Sequence, residues 1–144
     1  MLAKKITYTD FDGLERTETF YFNLTKAEIA EMELQHPGGY LDYIERIIDA
    51  KDRSELTECF TKLILDSYGE KSEDGRHFKK SAEISELFHT SEAYSELFME
   101  IMGDPDAAST FVNGIMPHVD LTDEQQAELN ERMKARIEAR KQQQ

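Results

Sequence analysis

Residues 4–9 (Lys4 to Thr9) and 16–22 (Arg16 to Phe22) alternate apolar and polar positions and are rich in Ile, Thr, Tyr and Phe. Between them, Asp10-Phe11-Asp12-Gly13 carries turn chemistry, so the pattern predicts an N-terminal β-hairpin over 4–22. A lone hairpin is marginally stable in water. The Ile6/Tyr8 and Phe20/Phe22 faces are therefore expected to lie on helices or on another chain.

At Leu24 the period changes from two to about 3.6. Thr25 can accept from the Glu28 backbone N–H, Glu28 can reach back to the Thr25 N–H, and Leu24 can pack on Ile29, which together form a capping box with a hydrophobic staple. This helix should stop at His36-Pro37-Gly38-Gly39, because proline disfavours helical geometry in the residue before it. A second helix carries Tyr40, Leu41, Ile44, Ile47 and Ile48 on one face, and a third carries Leu56, Cys59, Phe60, Leu63, Ile64 and Tyr68. Gly69 stands where a C′ stop would. Residues 69–80 mix charges of both signs around Asp74-Gly75, with Phe78 as their apolar anchor, and read as an exposed loop or short hairpin.

Ser81 opens a short helix presenting Ile84, Leu87 and Phe88. Thr90 or Ser91 caps the next, whose inner face is Tyr94, Leu97, Phe98, Ile101 and Met102. Asp104-Pro105 is a cap followed by proline at the first helical position, leading to Phe111, Val112 and Ile115. Gly114 and Pro117 close this compact part. A further capping box, Thr122-Asp123-Glu124-Gln125, starts a helix to about Lys141 whose apolar stripe is thin: Leu129, Met133 and Ile137.

The fold expected is α+β but mainly α, with a hairpin followed by a bundle of six or seven helices. Residues 1–117 form the compact domain (hairpin 4–22, helices 25–116), and 118–144 form a C-terminal helix that is either a loosely attached extension or half of an interface. The core is expected at Ile44, Ile47, Ile48, Phe60, Leu63, Ile64, Leu97, Phe98, Ile101 and Phe111. At 144 residues, with 39% hydrophobic and 10% aromatic composition, the chain has the material for one such core.

Charge narrows the function. The net charge of −13 divides as −1 over residues 1–23, −11 over 24–117 and −1 over 118–144, a field that opposes nucleic-acid phosphate. One cysteine and the lack of a basic segment followed by an apolar h-region in residues 1–30 point to the cytosol. No apolar run approaches the roughly 20 residues of a membrane-spanning helix.

Chemistry is sparse. Glu33-Leu34-Gln35-His36 and Glu86-Leu87-Phe88-His89 are two Glu-x-x-His units, the spacing that a ferritin-like di-metal bundle uses. Each His falls at the end of a short helix, however, where such a site needs long parallel ones. Asp10-x-Asp12-Gly13 lacks the remaining ligands of a calcium loop and reads as turn residues. Cys59 shares a stripe with Phe60 and Leu63 and reads as a buried thiol, while His77 and His118 have no ligand-like neighbours. No catalytic or metal residue is assigned and no cofactor is expected. Glu92, Glu96 and Glu100 recur every fourth residue opposite the Tyr94/Phe98 face, forming either an ordinary solvated face or an acidic rail for a basic partner.

Four stretches, Tyr21-Phe22-Asn23-Leu24-Thr25-Lys26-Ala27-Glu28, Tyr68 to Phe78 (YGEKSEDGRHF), Glu92 to Glu100 (EAYSELFME) and Ala107 to Pro117 (AASTFVNGIMP), resemble one phage family. The resemblance, over roughly residues 5–117, is to tail assembly chaperones of long-tailed phages infecting Gram-positive hosts. It implies a non-enzymatic factor in the host cytoplasm that coats the tape-measure protein, helps tail tube subunits polymerise around it, and then leaves. Self-association and a longer frameshifted product are compatible with it. Leu129, Met133 and Ile137, together with Glu92, Glu96 and Glu100, are the residues expected to meet a partner; the alternative for the first three is docking on their own domain. Two other classes stand beside this reading: a structural tail-completion or connector component of the virion, and the ferritin-like di-metal protein.

Overall fold

The computed structural model describes residues 1–35, 52–117 and 123–141. Strands β1 (Leu2–Thr9) and β2 (Glu15–Phe22) form the expected hairpin, in antiparallel register from Leu2↔Phe22 to Thr9↔Glu15. Its turn is set by Asp10, whose backbone N–H donates to the Leu14 carbonyl at 2.8 Å. Asp10 Oδ1 accepts from the Asp12 and Leu14 N–H groups, and Gly13 supplies the left-handed step at φ +85°. Arg16 Nε donates to the other carboxylate oxygen at 2.6 Å. Together the guanidinium and the two backbone N–H groups hold the Asp10 carboxyl below its usual range.

Helix α1 (Lys26–Gln35) begins at the predicted box: the Glu28 N–H donates to Thr25 Oγ1 at 3.1 Å, and the Thr25 N–H donates to Glu28 Oε1 at 2.9 Å. Leu24 and Ile29, the staple pair, are both buried. Thr25→Ala is expected to cost about 1 kcal/mol in urea denaturation. His36 and the expected helix with Tyr40, Leu41, Ile44, Ile47 and Ile48 lie outside the described residues, as does the cap at Thr122. The box has a tertiary link as well. Lys80 Nζ donates to Glu28 Oε2 at 2.6 Å and to the Asn23 carbonyl at 2.7 Å, tying the hairpin exit to the segment before the later helices.

Burial opposes charge on Glu28, but Lys80 and the Thr25 N–H outweigh it and lower the carboxyl's pKa. A lowered folded pKa means a contribution to stability that is full above the ordinary value of 4.5 and is lost as pH falls through the folded value. The stability gap between the wild type and Lys80→Met should accordingly narrow on acidification through that range. A gap independent of pH would show that the pair is not what Lys80 contributes.

Helix α2 (Arg53–Ser67) is capped by Asp52, which accepts from the Glu55 N–H at 2.9 Å. Gly69 was expected to end it as a left-handed stop; instead Tyr68 turns the chain extended and Gly69 enters strand β3 (Tyr68–Lys71), paired with Tyr21. The glycine is required for space: a Cβ there would stand 2.7 Å from the Phe78 ring and 2.8 Å from the Lys79 carbonyl oxygen. The segment read as a loop or short hairpin is a hairpin. β3 pairs with β4 (Phe78–Lys79) across a turn in which Gly75 takes φ +74° and Asp74 accepts from Ser72 Oγ and the Arg76 N–H. The protein is thus α+β, with one four-stranded antiparallel sheet in the order β1-β2-β3-β4 rather than an isolated two-stranded hairpin.

Six helices are present among the described residues. α3 (Ala82–His89), α4 (Glu92–Gly103) and α5 (Pro105–Ile115) start at Ser81, Ser91 and Asp104, each accepting from a first-turn N–H. α6 (Asp123–Lys141) follows. The helices cover the sheet face bearing Ile6, Phe20 and Phe22. Phe22 sits at the centre with its ring 5.6 Å from those of Tyr68 and Phe88 and 5.3 Å from that of Phe111, while Tyr68 stacks on Phe88 at 4.2 Å. The opposite face carries Lys5, Thr7, Thr9, Thr17 and Thr19, all exposed, as expected of an antiparallel sheet solvated on one side.

Candidate functional site

Helix α4 has two distinct faces. Ala93, Leu97, Ile101 and Met102 are buried, and Tyr94 and Phe98 are half-buried against the same core. Tyr94 Oη reaches Thr61 Oγ1 at 3.3 Å, which fixes α4 to α2. The other face carries Glu96 and Glu100, both exposed, with Glu92 half-exposed at the helix start. Met99 lies within this acidic line, 62% exposed, at i+7 from Glu92 and i+3 from Glu96. A large apolar side chain among carboxylates is not needed for packing and offers contact area to a partner.

The acidic line runs into a cleft of about 370 Å³ between β1, α4 and α5. Its floor is Leu2, Leu97, Ile101 and Phe111; Glu100, Asp104 and Asp106 stand on its rim. Leu2 reaches this position because Gly114 lets it lie close on α5, where an added Cβ would come within 3.0 Å of Leu2 Cδ1. Asp104 caps α5 by accepting from the Asp106 N–H at 3.0 Å. Two of the rim carboxylates already pair with lysines of the chain: Lys4, which lines the cleft, and Lys134, which reaches Asp106 from α6. Lys4 Nζ is 2.7 Å from Glu100 Oε1 and Lys134 Nζ is 2.9 Å from Asp106 Oδ1, and the latter carboxylate raises the Lys134 pKa.

Lys4, Asp104, Asp106 and Lys134 are not among the residues that the sequence assigns to a partner surface, Asp104 being read there only as a helix cap. Asp104 gave a signal, since an Asp-Pro cap places a carboxylate at the end of the preceding helix. The Lys4–Glu100 pair spans 96 positions and left none.

Of the two alternatives for the C-terminal stripe, burial at its two described side chains matches docking on the chain's own domain. Met133 and Ile137 are 0% and 1% exposed and belong to the main core, and α6 packs on α5, α2 and α4. Asn113 Nδ2 also donates to Asn130 Oδ1 at 3.1 Å, joining α5 to α6. Both described residues of the stripe therefore dock on their own domain, and α6 is neither a loose extension nor an open apolar face at these positions. The side chain of Leu129 lies outside what is described.

The remaining candidates resolve into structure. His89 ends α3 with its ring edge-on to Tyr94 at 4.8 Å, while its counterpart His36 is outside the described residues. Among the described residues no three His, Cys, Asp or Glu side chains are grouped as a metal would need. The Asp10 oxygens are taken up by the turn and Arg16, and Cys59 is half-buried against the core. No described helix is long and apolar enough to cross a membrane.

A small α+β domain with a solvated sheet face, an acidic helix face and an adjoining apolar cleft has the surface of a protein-binding module. The family comparison agrees: the model of the phage tail assembly chaperone family matches residues 1–144, and the chain belongs to that family. Membership covers α6 as well as the part whose motifs resemble the family in sequence, and it implies a non-enzymatic role. Comparisons with curated proteins and with solved structures give no match.

Proposed function

We propose that this protein holds segments of the tape-measure protein of a long-tailed phage, keeps them soluble in the host cytoplasm, and assists polymerisation of tail tube subunits before leaving. The observation that carries this reading is the exposed face of α4, where Glu92, Glu96 and Glu100 surround Met99. Such a face suits amphipathic helices whose apolar residues are flanked by Lys or Arg. Each contact would be modest, with many copies along one extended partner supplying the avidity. Family membership favours this over a structural connector, which would be found in purified particles.

The double variant Glu92→Lys/Glu96→Lys tests it, since both side chains lie away from the core. Recovery of soluble tape-measure protein on co-expression should fall about tenfold or more, with the chaperone's own melting temperature little changed. Unchanged recovery would remove this face from the reading.

A further inference from the structure

We propose that the cleft between β1, α4 and α5 is a peptide receptor that takes one apolar side chain from an amphipathic helix and pairs its rim carboxylates with the lysines or arginines beside that anchor. The inference rests on the reading of the protein as a holder of tape-measure segments, and it deepens that reading by naming the pocket and the chemistry of what enters it.

Three features carry it. The first is size: about 370 Å³ is at the low end of the roughly 300–1,000 Å³ range of ligand pockets, enough for one anchor and its flanks. The second is the division of the lining, with Leu2, Ile101 and Phe111 below and Glu100, Asp104 and Asp106 at the edge. Anchors of this kind concentrate binding energy in a desolvated centre, and the charged rim selects the partner. The third is that the rim already takes ammonium groups from this chain. Lys4 and Lys134 pair with Glu100 and Asp106, whose side chains are 44% and 78% exposed. Exposed pairs of this kind are weakly held, so an incoming helix can exchange its own cations for Lys4 and Lys134 at little cost. The cleft also continues the line of Glu92, Glu96 and Met99 along α4, so one helix lying on that face would bring an anchor to its mouth.

The test uses the full chain, ¹⁵N-labelled, and two synthetic helical peptides of one apolar pattern: leucine with lysine, and leucine with glutamate. The lysine peptide should bind, with amide shifts concentrated at residues 2–4, 100–107 and 110; the glutamate peptide should not. Ala107→Trp, which fills the cleft from its half-buried wall, and Glu100→Lys, a surface change that leaves the core untouched, should each weaken binding about tenfold. Binding to both variants as tight as to the wild type, shifts spread elsewhere over the acidic surface, or no binding at all would each overturn the proposal. Failure here leaves a tape-measure holder whose contact lies elsewhere. Peptide binding without a tape-measure complex would leave a receptor with a different client.

Discussion

Phe22→Ala should lower the free energy of unfolding by about 3–5 kcal/mol, the range for removing a buried aromatic ring, out of the roughly 5–15 kcal/mol that a domain possesses. Phe22 is fully buried at the end of β2 and meets three other rings, two of them edge-on. Such pairs add about 0.5–1.5 kcal/mol each beyond area burial. The cavity cannot close easily, because the chain just after Phe22 is clamped on both sides. The Asn23 N–H donates to the Ser67 carbonyl and the Leu24 N–H to the Ile115 carbonyl, both at 2.8 Å. Urea titration followed by circular dichroism should show an earlier midpoint at unchanged slope. A loss under about 1 kcal/mol would mean that the aromatic cluster is not the centre of this fold.

The second large effect concerns α6. Met133→Ala and Ile137→Ala are each expected to cost about 2–5 kcal/mol, because both side chains are buried among residues of the other helices. In thermal melts that corresponds to roughly 2–4 °C per kcal/mol for a chain of this size. If the stripe instead served only to bind a partner, the isolated protein would melt at nearly the wild-type temperature. The two outcomes are far enough apart for one melting curve to separate them.

Local chemistry made much of this architecture legible. The Asp10–Gly13 turn and the starts at Thr25, Ser81, Ser91 and Asp104 are each specified by residues within a few positions of one another, and each is present with the hydrogen bonds its residue types imply. Long-range geometry was less legible. Gly69 carries the same signal whether it ends a helix or makes room for Phe78 in a strand, and pairing with β2 decides between the two. The core role of Met133 and Ile137 depends on whether the rest of the domain leaves a seam for α6, which the spacing of three apolar residues cannot show. Glu92, Glu96 and Glu100 could be placed on one helix face from their period. The cleft beside them joins β1 to α4 and α5 across about a hundred positions, so it emerges only in three dimensions.

The most direct test of the account is co-expression of the chain with the tape-measure protein of its phage, followed by size-exclusion chromatography with light scattering. A soluble complex whose mass corresponds to many copies of this chain on each tape-measure protein is the expected result. An insoluble partner, with this chain eluting alone, would contradict it.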